Sequence, residues 1–203
     1  PLSYGSALII DENSNKIKKF LTKNNSGYIF DNLLNFYEIN MQSVILRHSF
    51  LVKEDLSFLT SLQYNPDYNL FMQIASYNQI GVEQDCIVKY RVLKNSLSSK
   101  TMNLVGSEAR LTLDRIIEIS PELESRFKKA FEQAYGKSVY YDAIAAIKDS
   151  DYKTARQLLR SIFSLRYEYL GLYLILLFPL SRKLILKFLN RYIWRKLVKI
   201  TRE

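Results

Sequence analysis

Between Asn65 and Ser98 the sequence turns a helix directly into a strand, and that junction restricts the chain to folds in which helices lie against a sheet. Asn65 is a residue type favoured just before a helix. Pro66 suits the first helical turn, where its missing N–H would have had no partner. Leu70, Phe71, Ile74 and Ala75 follow at the spacing of one helical face, and Gly81 marks the expected end of the segment. Ile87 to Val92 then alternates, with Val88, Tyr90 and Val92 on one face and Ile87, Lys89 and Arg91 on the other, which predicts a strand with one side against a core.

The flanking sequence extends this pattern. Ala7 to Ile10 is a short apolar run that predicts a strand, and Asp11-Glu12-Asn13-Ser14-Asn15 predicts a turn. Ile29, Leu33 and Phe36/Tyr37 recur at helical spacing, Met41 to Leu46 reads as a buried strand closed by Arg47 and His48, and Leu51 to Tyr64 reads as a loop with a helical turn. Beyond about Lys100 the sequence is helical throughout. Ser120-Pro121-Glu122 predicts a second capped start, with Leu123, Phe127, Phe131 and Ala134 on one face and Gly136 as the stop. A helix over Val139 to Lys148, a turn at Asp149-Ser150-Asp151 and a helix over Tyr152 to Phe163 follow. This pair is loosely similar to one tetratricopeptide unit, without a repeat period that would make an array.

Composition excludes several chemistries. Cys86 is the only cysteine and His48 the only histidine, so an internal disulfide, a thiolate metal cage and a multi-histidine metal site are ruled out. His48 is expected at the surface, and a reducing, cytoplasmic setting fits. The net charge of +9 is concentrated: eight of the 29 Lys and Arg, against one of the 20 acids, fall between Ser181 and Glu203. The rest is nearly neutral, which argues against a broad phosphate-binding face and against nucleic acid as a partner. The 15 Tyr and 11 Phe are expected mainly in the core, because basic and aromatic residues interleave only in the tail. Pro1 leads almost at once into an apolar run with no secretory signal before it, so the chain reads as part of something longer.

The block Asn65-Pro66-Asp67-Tyr68-Asn69-Leu70-Phe71, followed by Val88-Lys89-Tyr90-Arg91-Val92 and Asn95-Ser96-Leu97-Ser98, resembles the acceptor half of family 2 glycosyltransferases. Ile9-Ile10-Asp11-Glu12-Asn13 resembles that family's strand end, with Ser14 in place of a glycine. The resemblance runs from Tyr4 to about Lys100. It implies an α/β fold: the C-terminal half of a mixed-sheet nucleotide-diphospho-sugar transferase (A-type) domain over residues 1–100, to which the helical spacing and charge pattern add an α-helical extension over 101–165 and a basic amphipathic tail over 166–203. It also implies transfer of a sugar, with inversion, from a nucleotide-activated donor to a glycan or lipid-linked acceptor in surface polysaccharide assembly.

On this resemblance Asp67 is the base that takes the acceptor hydroxyl's proton. Its departures are Pro66 and Asn69, where the family often carries further acids, and Leu93, where it often carries a His. An acid in a first helical turn is also favoured by the helix dipole alone, by about 0.3–1 kcal/mol. Arg91 and Tyr90 are the candidate substrate contacts; Arg91 could equally be an edge-strand cation paired with Glu83 or Asp85. Gln42 and Ser43 fall where the family lines its acceptor pocket, or are simply part of a core strand. The family uses a divalent cation, Mg or Mn, held by an Asp-x-Asp element. Asp149-Ser150-Asp151 has that spacing but reads as a loop and helix cap, so no metal ligand is assigned and the chain alone is expected to be inactive.

From Tyr169 to Ser181 there is no charge, yet the run is shorter than the roughly 20 apolar residues that span a bilayer. The segment 182–202 alternates Lys183, Lys187, Arg191, Arg195 and Lys199 with Ile185, Phe188/Leu189, Tyr192/Ile193 and Leu197, and it carries Trp194. This composition suits a helix lying in a membrane interface, so an anionic membrane surface is an expected partner and the inner face of the membrane the expected location. The alternative reading is a non-catalytic helical membrane-docking adaptor in which Asp67 is only a helix-start acid.

Overall fold

The computed structural model describes residues 1–93 and 102–177. Asn95 to Ser98 and the basic segment 182–202 lie outside the described residues. The described chain is a four-stranded mixed sheet followed by a run of C-terminal helices.

Strand β1 (Leu2–Ile10) joins every other strand. Strand β4 (Ile80–Arg91) runs parallel to it along one edge, from Leu2 opposite Ile80 to Ile10 opposite Arg91, with register shifts on either side of Ser6. On the other edge β2 (Lys16–Phe20) pairs antiparallel with the end of β1 and β3 (Ile45–Leu46) with its start. The turn expected after Ile10 forms because the Asp11 carboxylate accepts the backbone N–H of Asn13 and Asn15 and the Asn15 side chain. Ser14 takes the left-handed conformation there, φ 69°, a geometry that L residues adopt at a cost and glycine adopts freely.

Helices α1 (Phe30–Asn35) and α3 (Pro66–Tyr77) pack with the sheet, burying Phe30, Leu33 and Leu34 from the first and Leu70, Phe71, Met72, Ile74 and Ala75 from the second. The strand expected over Met41 to Leu46 is mostly not one. The Asn40 side chain accepts the Gln42 N–H and winds Met41–Ser43 into a 3-10 turn, leaving two paired residues in β3. Helix α2 (His48–Lys53) begins earlier than the loop reading allowed, and His48 is exposed at its first position.

The helical part comprises α4 (Val105–Ile119), α5 (Pro121–Arg126), α6 (Lys128–Lys148), α7 (Tyr152–Ile162) and α8 (Tyr167–Leu177). Apolar packing does not break at residue 100. Leu113 and Ile116 of α4, Leu123 of α5 and Phe131 and Ala134 of α6 share one core with Leu2 and Tyr4 of β1 and with α1 and α3. A second core joins Tyr140, Ala143, Ile144 and Ile147 of α6 to Ala155, Leu159 and Ile162 of α7 and to Tyr169, Leu172 and Leu176 of α8. At about 1.5 Å per residue α6 is long enough to serve both.

Two glycines read as helix stops have another role. Gly81 lies inside β4, where Ser3 of the neighbouring strand occupies the space a Cβ would take. Gly136 lies inside α6, against Leu165. A mid-helix glycine costs about 1 kcal/mol relative to alanine, and close approach of another segment is the physical reason for it. Asp151 does cap α7, accepting the Thr154 N–H, so the Asp149-Ser150-Asp151 turn is a helix start as expected.

The expectation of a membrane-associated protein is corrected. Among the described residues no helix is long and apolar enough to cross a membrane, and the uncharged run ends, within them, in the eleven-residue α8.

Candidate active site

Asp67 stands in the first turn of α3. The chain returns from α3 into β4 through Asn78 and Gln79, so the start of the helix points toward the end at which β1 and β4 finish. Ligand sites in open α/β sheets gather at the carboxyl ends of parallel strands. The carboxylate is half-buried, and burial raises its pKa above the ordinary carboxylate value; the backbone N–H groups of Asp67 and Tyr68 pull in the opposite direction without cancelling it.

Tyrosines surround it. Burial raises the Tyr37 hydroxyl well above the usual phenol range, and the nearby charge of Asp67 adds to the shift. Tyr64 is pushed up to about 12, first by burial and then by Tyr141, Tyr90 and Asp67. Tyr68 is raised by burial and by Tyr141. The Tyr37 and Tyr68 rings meet edge to face, centroids 4.8 Å apart. Phenols held this firmly protonated act at neutral pH as hydrogen-bonding groups and not as charges.

The loop that delivers Asp67 is clamped from α4. Glu108, buried in the first turn of that helix, accepts the backbone N–H of Gln63 (2.8 Å), Tyr64 (2.9 Å) and Asn65 (2.7 Å). The Asn65 side chain makes no cap bond to α3; it donates to the Val105 carbonyl instead. One helical turn further along α3, the fully buried Asn69 donates to the Thr112 hydroxyl, which itself donates to the Glu108 carbonyl. This explains Asn at 69: an ionised acid there can only accept, and the Thr112 proton is already committed. Helix α4 comes this close to α6 because it has Gly106 there, where a Cβ would collide with the Ser138 carbonyl and Asp142. An Arg110–Asp142 ion pair at 2.6 Å fixes the crossing.

The remaining candidates are distributed differently from their expected roles. Tyr90 is half-buried on β4, near enough to Tyr64 to influence it. Arg91 is not brought to Asp67 and is not paired with Glu83 or Asp85. Its guanidinium donates, at 3.0 Å each, to the Asp11 and Glu12 carbonyls and the Ser14 hydroxyl, tying β4 to the β1–β2 turn. Ser43 is buried and structural, accepting the Gly5 N–H and donating to the Asn40 carbonyl. Gln42 is exposed, and only its backbone N–H is engaged, with Asn40.

Two surface hollows lie elsewhere. One is lined by Leu8, Lys16, Lys19 and Cys86 to Lys89 on the sheet; the other lies along the outer face of α4 around Arg110, Asp114 and Glu118. Neither holds a desolvated acid or base, whereas Asp67 is one, and a poised acid–base group is the better guide to chemistry. Among the described residues no group of three or more His, Cys, Asp or Glu could hold a metal ion, and Asp151 is committed to its cap.

Nothing in the sequence marks Glu108, Tyr37 or Tyr64 as neighbours of Asp67, whereas Tyr68 lies inside the block that carries the resemblance. Comparison with family models, curated proteins and solved structures finds no match to this chain.

Proposed function

We propose that this chain is the acceptor-side part of an inverting glycosyltransferase of the A-type nucleotide-sugar fold, with Asp67 as its catalytic base. The observation that carries the reading is a carboxylate drawn partly out of water, with a raised pKa, at the strand-end side of a parallel pair and among protonated phenols. A base is most effective when its pKa approaches the working pH, and burial moves Asp67 in that direction.

In the reaction the Asp67 carboxylate removes the proton of an acceptor hydroxyl as that oxygen bonds to the anomeric carbon. The bond from that carbon to the nucleoside diphosphate breaks, and the leaving group departs with the electron pair. The N–H groups of Asp67 and Tyr68 keep the carboxylate oriented, and Tyr64 and Tyr90 supply a face on which a sugar ring can pack. Arg91 acts through the β1–β2 turn, whose shape it holds. The donor half, with any divalent cation for the diphosphate, would belong to a separate nucleotide-binding part.

The test is Asp67→Asn in a protein that carries both halves. Transfer from a nucleotide sugar to its glycan or lipid-linked acceptor should fall by roughly 10²–10⁴-fold, the usual worth of a general base, while binding of the nucleotide sugar survives. Retained transfer removes Asp67 from the mechanism. The 203-residue chain alone is expected to turn over no nucleotide sugar; clear turnover would place the donor site within it.

A further inference from the structure

Among the described residues the Tyr37 hydroxyl is the buried side-chain polar atom without a hydrogen-bond partner. Such atoms are rare in folded proteins, and leaving one unpaired costs about 1–3 kcal/mol. Its position is specific. The ring packs edge-on against Tyr68, the residue after Asp67, and the following residue, Glu38, is fully committed to Tyr4, Lys23 and Asn24. The shortfall therefore falls where the first core meets the start of α3, against the residue that follows the candidate base.

We propose that the Tyr37 hydroxyl is a specificity-determining contact for the acceptor sugar, hydrogen-bonding a hydroxyl next to the one that Asp67 deprotonates. The inference rests on the transferase reading and goes further, because it names the group that recognises the acceptor. Burial and the Asp67 charge keep the phenol protonated, so it can donate to a sugar oxygen while Asp67, as a carboxylate, accepts. A site built around a hydrogen bond to one hydroxyl rejects analogues that lack it, so the acceptor should be a polyol with adjacent hydroxyl groups and not a simple alcohol.

The probes are methyl hexosides and their monodeoxy counterparts, titrated into the 203-residue chain and followed by saturation-transfer NMR. The wild-type protein should bind a parent hexoside about five- to tenfold more tightly than one particular deoxy analogue, the range expected for one neutral hydrogen bond. Tyr37→Phe should bind the pair equally and melt at the same or a higher temperature, because it removes an unsatisfied buried atom. A purely structural hydroxyl gives the opposite pattern: a lower melting temperature and unchanged discrimination. That outcome, or no saturable binding of any hexoside, overturns the proposal. Failure of the transferase reading looks different: Tyr37→Phe loses discrimination, but Asp67→Asn in the two-part protein leaves transfer intact.

Discussion

Glu108 gives the sharpest test of how this fold positions its candidate base. Three consecutive backbone N–H groups converge on one buried carboxylate, and they belong to the residues that lead into α3. Replacing Glu108 with Gln keeps the volume and one acceptor oxygen. With that oxygen where Oε2 now sits, Tyr64 and Asn65 keep a partner, now neutral, and the Gln63 N–H faces an amide NH₂. A hydrogen bond to a charged group contributes about 1.5–3 kcal/mol and a neutral one about 0.5–1.5, so weakening two and losing a third should cost about 3.5–6 kcal/mol. Gln63 is exposed and water can reach it, which favours the lower half of that range. For a chain of this size the melting temperature should fall by roughly 7–19 °C.

The measurement is paired urea and thermal unfolding of wild type and Glu108→Gln, with Leu159→Ala as a stability-matched control. Leu159 is fully buried in the second core, away from α3, and its truncation should cost about 2–5 kcal/mol. In a two-part transferase Glu108→Gln should lower kcat well beyond the control, because the start of α3 loses its tether. If Glu108→Gln unfolds within a few tenths of a kcal/mol of wild type, the clamp is not holding the loop. If its kcat matches that of Leu159→Ala, the clamp does not position Asp67.

Two further outcomes follow from the same geometry. Asp67→Asn should alter stability in a pH-dependent way. The folded pKa is raised, so between the unfolded value near 4 and the higher folded value the native state holds a proton the unfolded state has lost; stability falls as pH rises through that window. The variant lacks this loss, and its melting temperature should gain on wild type from acid to neutral pH; a gap that does not change with pH would falsify the burial argument. Gly106→Ala should destabilise by about 1–3 kcal/mol by pushing α4 off the Ser138 carbonyl and Asp142, visible as a lower urea midpoint, and an unchanged midpoint would mean the crossing is not tight.

The parts of this structure legible in the sequence are those specified by neighbours in the chain. Pro66, the apolar stripe behind it and the alternation of Ile87 to Arg91 need only local rules, and α3 and β4 follow them, whereas the Asn65 side chain leaves its expected cap for the distant Val105 carbonyl. The glycines show where local rules stop. Gly81 and Gly136 resemble helix ends, yet each is small because a distant residue, Ser3 or Leu165, arrives there. The Met41 to Leu46 run looks like a strand until the Asn40 side chain captures Gln42. Asp67 is nominated by the family resemblance alone, since an acid at a helix start is favoured by the dipole whatever the chain does. Glu108 could not be nominated, because its three partners lie 43 to 45 residues away and nothing near it in sequence marks a clamp.

The contrast among the buried acids is what separates scaffold from site. Glu38 accepts the Tyr4 hydroxyl, the Lys23 and Asn24 N–H groups and the Asn24 side chain. Glu108 accepts three N–H groups. Both are saturated, which is how a fold accommodates a carboxylate it uses only to hold loops together. Asp67 has only the first-turn N–H groups of its own helix, too few to offset its burial, and the nearby Tyr37 hydroxyl has no partner. A carboxylate short of donors and a nearby phenol without a partner both cost stability. Folded proteins break local rules where function requires it, and one sugar that brings a hydroxyl proton to Asp67 and an oxygen to Tyr37 would satisfy both groups at once.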